Sequence, residues 1–342
     1  MERFEYHREN TPEAALRAIQ AAQPHNCGPL DRDAQYIAGG TNLIDCMSLG
    51  TTRPTTLVDI NGLQGRFGAI DSDGYRLRLG ALVRMAEAED HPSIRRDYPL
   101  IAQTLTLAAS RQIRNMASLG GNVLQRTRCE YFREVSWPCN RRNPGAGCAA
   151  LQGLNRQHAI LGTSDACVAT YPGDLAQALI ALDATVETIG GASGSREIPF
   201  EKLHRLPGDS PHVETCLDVD ELITALNVPA GPWTRRSCYI KVRDRDSYQF
   251  ALASAAVALH LERDVVREAR IALGGVATVP WRSREAEAVL KGHRLDESIA
   301  TKAANAAFAD ARPLQHNAFK IPIGTQTVVR ALLQARDMEA LQ

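Results

Sequence analysis

Apolar and polar positions along the chain change period several times, and each change marks an element. Ala15, Leu16 and Ile19 share one helical face behind Thr11-Pro12-Glu13. That triplet supplies a hydroxyl cap, a proline at the first helical position and an acid near the positive end. The helix is predicted to run to about residue 22. A short strand is predicted at 36–38, followed by Gly39-Gly40-Thr41-Asn42-Leu43 and a helix to about residue 47. Leu57 to Ile60 reads as a strand, and Tyr75 to Leu79 alternates as a half-buried strand does. Helices are predicted from Pro99 to about residue 109 and from Leu175 to Leu182, the second with Asp174 as its cap. A strand at 185–189 ends in the glycine-rich turn 190–195. Pro229-Ala230-Gly231-Pro232 reads as a domain linker. Beyond it, two strands at 250–261 and 265–273 are joined at 262–264, and helices are predicted near 283–290, 296–309 and 325–340. Strands and helices are mixed throughout, with no internal repeat, which gives an α+β chain.

The 342 residues suffice for two or three domains with well-formed cores. Basic and acidic residues balance at 39 each, so charge favours neither nucleic acid nor an anionic membrane as partner. The longest apolar run, Ala251 to Leu261, is too short to span a bilayer. The opening residues are too charged for a secretory signal, so the chain is expected to carry no export address of its own.

One stretch resists the periodic reading. Four of the eight cysteines, Cys129, Cys139, Cys148 and Cys167, fall within 39 positions rich in Arg, Asn, Gly and Pro. Such a segment cannot order itself by burying apolar surface. Thiolates closing on a metal or an iron–sulfur cluster would order it. The gaps of 9, 8 and 18 residues contain no close Cys-x-x-Cys pair of the kind zinc sites use. An iron–sulfur cubane tolerates irregular spacing better, yet spacing alone leaves cluster, zinc and unligated thiols open. His158 is read as solvent-facing or hydrogen-bonding rather than as a ligand. Cys27, Cys46, Cys216 and Cys238 are scattered singly and read as reduced, mostly buried side chains.

Two glycine-rich loops share one character: Ala38 to Leu43, and Ser118-Leu119-Gly120-Gly121-Asn122. Glycines let a backbone approach a ligand closely, and amides at a helix start donate to phosphate oxygens. One loop alone is better read as a plain turn; two suit the paired phosphates of a dinucleotide. The usual strand–GxGxxG–helix fingerprint is missing. The charged run Lys241 to Tyr248 is either a solvated loop or a cation and an aromatic set beside an anionic cofactor.

Taken together, Ile37 to Leu43, Arg114 to Asn122 and Lys241 to Tyr248 resemble the FAD-binding subunits of the xanthine dehydrogenase (molybdenum hydroxylase) family. Leu273 to Trp281 resembles their C-terminal domain. The residues around Cys129, Cys139, Cys148, His158 and Cys167 resemble the branch that carries an extra [4Fe–4S] cluster, including the flavin subunits of bacterial periplasmic aldehyde oxidoreductases. One departure is Gly173, where that pattern has Ser before Asp174.

The resemblance implies a PCMH-type FAD-binding domain at 1–230, with two α/β subdomains at about 1–60 and 61–230 and a cluster loop at 127–167. A C-terminal domain at 231–342 would hold a three-stranded antiparallel sheet with helices. Tyr36, Ile37, Ala38, Gly39, Gly40, Thr41, Asn42 and Leu43 would hold the FAD pyrophosphate. Ala108, Ser118, Leu119, Gly120, Gly121, Asn122, Asp174, Ile223 and Lys241 would line the rest of the site. Cys129, Cys139, Cys148 and Cys167 would ligate the cluster. The implied partners are a large molybdenum-cofactor subunit and a small [2Fe–2S] subunit in a heterotrimer, with an external electron acceptor. Export folded alongside a twin-arginine partner would place the complex in the periplasm, the alternative being the cytoplasm. Two readings of other classes compete: a self-contained flavin oxidoreductase, and a zinc-stabilised scaffold without a redox role.

Overall fold

The computed structural model describes residues 1–22 and 33–338; Cys27 therefore lies outside the described residues. Three sheets follow one another along the chain. The first holds β1 (Glu5–Arg8), β2 (Ala34–Ile37) and β3 (Thr56–Asp59), all parallel in the order β1-β3-β2. Parallel strands need crossover connections, and the helix Pro12–Ala21 lies in the one from β1 to β2, the two strands that flank β3. Thr11 Oγ accepts the Ala14 N–H at 3.2 Å, so the predicted cap is formed. Ala15 and Ile19 are buried against Val58 and Leu63.

The second sheet holds β4 (Ile70–Ser72), β5 (Arg76–Gly80), β6 (Thr185–Ile189), β7 (Arg196–Pro199) and β8 (Leu222–Pro229). It is antiparallel, in the order β4-β5-β8-β6-β7. Central β8 is buried at every position but its last. Its near-continuous apolar run therefore shows no alternation, and pattern reading did not find it. Helices Met85–Asp90, Pro99–Thr106, Arg111–Met116, Leu119–Val123 and Leu175–Ala181 contribute to the core shared with this sheet.

The third sheet holds β9 (Ser237–Val242), β10 (Ala253–Glu262), β11 (Val265–Gly274) and β12 (Trp281–Arg282), antiparallel in the order β12-β11-β10-β9. β10 and β11 are the two strands the apolar pattern placed; β9 was not placed by it, and the two-residue edge strand β12 makes four where the resemblance implied three. Side chains along β10 sort by the two-residue period of a strand. Ala255, Val257 and Leu259 join the core with helices Arg284–Leu290, Glu297–Ala307 and Lys320–Asp337. Ala256 and Ala258 face the other way, into the core of the second sheet. Alanine on that side lets the sheet approach the helices Pro99–Thr106 and Leu175–Ala181 closely. The last helix starts at Lys320, earlier than predicted, because Pro322 sits in its first turn, where no N–H is needed.

Candidate functional site: a glycine-lined cleft beside four converging cysteines

A cleft of about 520 Å³ opens between the first two sheets, with the 212–223 and 248–250 segments on its far side. Both glycine loops meet there. The first leaves β2, and Gly40 takes φ +70°, a left-handed conformation that favours glycine. Gly39 presses on the second loop: a Cβ there would lie 1.9 Å from the Met116 carbonyl oxygen. In the second loop Ser118 Oγ accepts the Gly121 N–H at 3.3 Å and caps the helix Leu119–Val123. The Gly120 N–H donates to the Ala81 carbonyl at 2.8 Å. A Cβ on Gly121 would meet only Ser118 Oγ, at 3.0 Å, so packing within the protein gives little reason for glycine there.

Every expected FAD-site residue lines this cleft except Leu119 and Lys241. Leu119 is fully buried in the core behind it. Lys241 is not a solvated loop residue: its side chain is 1% exposed and its Nζ donates to Asp174 Oδ2 at 2.7 Å and to the Leu107 carbonyl at 3.0 Å. Asp174, expected as a helix cap, makes no capping bond. Its carboxylate instead accepts from Lys241 and, at 2.6 Å, from the Tyr239 hydroxyl. Burial, reinforced by the Asp174 charge, pushes the Tyr239 phenol well above its ordinary range, so it stays a donor. The glycine before Asp174 is also explained: a Cβ on Gly173 would lie 2.7 Å from the Tyr171 ring.

The cleft wall contains buried polar atoms without partners among the described residues: Asn42 Nδ2, Asn122 Oδ1, Arg128 Nε, His212 Nδ1 and Gln249 Oε1. Buried polar groups are nearly always paired, so this set marks where a polar ligand belongs. Sequence reading missed Arg126, Arg128, Glu214 and the 212–219 segment. The two arginines directly follow the second glycine loop, a signal that could have been used; the 212–219 segment carries no periodic signal.

Beyond the second glycine loop the chain enters the cysteine segment. Cys129, Cys139, Cys148 and Cys167, far apart in sequence, line one enclosed cavity together with Phe132 and Arg141. Antiparallel bridges pair Cys139 with Cys148 and Ser164 with Cys167. The Ala169 N–H points at Cys167 Sγ, 3.5 Å away. Burial pushes the Cys129 thiol up to about 12, against donation from the Phe132 N–H, while the neighbouring Cys139 and Cys167 push it further up. Cys148 is raised by burial as well. Thiols that hinder one another's ionisation in this way become thiolates when a cationic centre arrives among them. Their donor chemistry thus fits an iron–sulfur cluster. The space between them is water-sized, about 10 Å³, so such a group would have to spread the loop. Among the described residues no three Cys, His, Asp or Glu side chains are grouped as one metal ion requires.

His158 is buried, and its Nε2 lies 3.1 Å from Cys129 Sγ, which is the hydrogen-bonding reading and not the solvent-facing one. Burial lowers its pKa to about 4, keeping the ring neutral. Lys320 ties this loop to the last helix and to the turn just after β11, donating to the Gln157 carbonyl at 3.0 Å and the Gly275 carbonyl at 2.6 Å. Cys46 and Cys238 are buried singly as expected, whereas Cys216 is half-buried.

Two family models match the chain. The one described as the FAD binding domain in molybdopterin dehydrogenase covers residues 2–231. The one described as the CO dehydrogenase flavoprotein C-terminal domain covers 238–335. The chain is 44% identical to the aldehyde oxidoreductase FAD-binding subunit PaoB of Escherichia coli, over 98% of its own length and 99% of that protein's. It is 25% identical to the carbon monoxide dehydrogenase medium chain of Hydrogenophaga pseudoflava, over 96% of both. A solved structure of carbon monoxide dehydrogenase from the same organism superposes with a TM-score of 0.73 at 24% identity, covering 98% of this chain and 97% of that one. No helix among the described residues is long and apolar enough to cross a membrane. With both family models covering nearly all of it and a full-length relative at this identity, the chain belongs to the FAD-binding oxidoreductase subunits of the molybdenum hydroxylase family.

Proposed function

We propose that this chain is the flavin-bearing electron-exit subunit of a three-chain, molybdenum-containing aldehyde oxidoreductase, and that Cys129, Cys139, Cys148 and Cys167 hold one [4Fe–4S] cluster. Its partners are a large subunit with the molybdenum cofactor and a small subunit with two [2Fe–2S] clusters. The observation that carries this reading is the full-length likeness to an aldehyde oxidoreductase FAD-binding subunit, together with the cleft and the cysteine cavity lying side by side. Residues 1–230 form the flavin-binding domain and 231–342 the C-terminal domain. Bound FAD exchanges electrons singly or in pairs, which suits a relay between one-electron clusters and a two-electron acceptor. The protein binds and orients it. Tyr36 to Leu43 and Ser118 to Asn122 cradle the pyrophosphate, where the Gly121 backbone leaves room and Asn42 and Asn122 offer unpaired polar atoms. Ala108, Asp174 and Ile223 line the remainder. Lys241 acts from behind the wall, by holding Asp174 in place. Export folded with a partner places the complex in the periplasm.

The test is purification through a tag on this chain, expressed with candidate partner genes, followed by absorption spectroscopy and metal analysis. Two co-purifying chains, a flavin spectrum, and about four iron and four acid-labile sulfide per copy of this chain, beyond the iron of the small subunit, are expected. Cys139→Ser should lose that iron while Cys216→Ser keeps it. Zinc in place of iron, or full iron in Cys139→Ser, would overturn the cluster assignment. A flavin enzyme active without partner chains would overturn the subunit role.

A further inference from the structure

A charge chain, buried at Arg141 and half-buried at Glu214 and Arg126, joins the cysteine cavity to the flavin cleft. Arg141 lies in the wall of the cavity and is 7% exposed. Its Nη2 stands 3.8 Å from Cys167 Sγ and its Nη1 3.4 Å from Glu214 Oε2. Its Nε has no partner among the described residues. Glu214 faces both ways: its Oε1 accepts from Arg126 Nε at 3.0 Å and from Arg126 Nη2 at 2.5 Å. The Arg126 backbone N–H then donates to Asn42 Oδ1 at 3.0 Å. Asn42, Arg126 and Glu214 all line the cleft. No link from Cys167 to Asn42 exceeds 3.8 Å.

Charge is left over along this path. Two arginines share one carboxylate, giving a net positive charge. Next in sequence, Arg142 is also buried and forms no ion pair among the described residues. It donates to the Tyr131 carbonyl at 3.1 Å, the Phe132 carbonyl at 2.6 Å, the Val135 carbonyl at 3.2 Å and also to the Trp137 carbonyl. Unbalanced buried cations are costly unless a negative group stands nearby. A cubane held by thiolates is such a group: it is anionic when oxidised and gains a further negative charge when reduced. Of the two arginines, only Arg141 reaches both a cluster ligand and the cleft wall.

We propose that Arg141 sets the reduction potential of the cysteine-bound cluster and, through Glu214 and Arg126, makes that potential sensitive to charge in the flavin cleft. This rests on the [4Fe–4S] reading above. One electron enters the cluster from a partner iron–sulfur centre, or from dithionite in a titration. No bond at Arg141 forms or breaks. The guanidinium stabilises the added negative charge at short range in a poorly screened site, and Glu214 opposes it. Arg141 is thus a positioning and tuning residue, not a catalytic one.

The experiment is a redox titration of the purified complex, following cluster and flavin by electron paramagnetic resonance and absorption, with iron and sulfide measured on each sample. Arg141→Gln should shift the cluster's reduction equilibrium at least tenfold toward the oxidised form, about 59 mV for one electron. Arg141→Lys should show little of that shift, and Glu214→Gln should move the equilibrium the opposite way. Full iron content with an unchanged potential in Arg141→Gln overturns the tuning role while leaving the cluster assignment standing. A wild-type complex lacking the iron assigned to this chain overturns the cluster assignment, and the tuning role with it. Should Arg141→Gln fail to load iron, Glu214→Gln decides, since it retains the arginine; an unchanged potential there overturns the proposal.

Discussion

Replacing Lys241 by Met should destabilise the protein through Asp174. The ammonium and carboxylate are 2.7 Å apart, and their side chains are 1% and 5% exposed. Without Lys241 the Asp174 carboxylate would remain buried with the Tyr239 hydroxyl as its remaining donor on Oδ1, at 2.6 Å. Breaking one side of such a pair costs about 3–5 kcal/mol, because an uncompensated charge stays out of water. The Leu107 carbonyl keeps a bond from Arg243 Nη1 at 3.3 Å, so its loss adds little. At about 2–4 °C per kcal/mol for a domain of this size, the melting temperature should fall by roughly 6–20 °C. Adding Asp174→Asn removes the stranded charge while the side-chain oxygen still accepts from Tyr239. The double variant should therefore recover about 2–3 kcal/mol relative to the sum of the single ones. Thermal melts followed by circular dichroism, with saturating FAD and again after flavin removal, separate the pair's own contribution from the stabilisation due to bound ligand. A single variant melting within about 1 kcal/mol of wild type, or additive effects in the double variant, would refute the reasoning.

Gly39→Ala and Gly121→Ala should separate packing from ligand approach. The first forces a Cβ to 1.9 Å from the Met116 carbonyl oxygen and should cost about 2 kcal/mol or more along with flavin. The second lies inside a helix with one 3.0 Å neighbour, so stability should change by less than about 1 kcal/mol while flavin occupancy drops; a Gly121→Ala protein with full flavin would remove the phosphate from that loop. His204 should give the protein an acid limb. Burial lowers its pKa from 6.5 to about 4, and its ring nitrogen lies 2.9 Å from the Val123 carbonyl at the end of the second glycine loop's helix. The unfolded chain takes up the proton first, so the stabilisation is complete above pH 6.5 and is lost as pH falls toward 4, up to about 3 kcal/mol. His204→Gln should flatten urea-measured stability across that window; parallel acid limbs in variant and wild type would exclude His204 as their source.

Local chemistry by itself determined much of this protein. Thr11-Pro12 marks a helix start without help from the rest of the chain, and the alternation from Tyr75 to Leu79 marks the strand β5 whatever packs on it. The two glycine loops and the four cysteines were likewise legible, because backbone freedom and thiol chemistry belong to residue types. Tertiary structure decided what those residues face. Central β8 was invisible, since burial on both faces erases the polar half of a strand's pattern. Asp174 stood where a cap is expected, but Lys241 and Tyr239, 67 and 65 residues away, offered the carboxylate stronger partners than the helix amides could. Lys241 read either as part of a solvated charged run or as a cation beside an anionic cofactor, because a sequence shows a charge and not its burial. The meeting of Gly39 with the Met116 backbone, and of Cys167 with Arg141 and Glu214, joins segments whose sequences carry no mark of one another. Such contacts come from the packing of separate layers, and it is packing that sets a glycine-lined cleft and a cysteine cavity side by side.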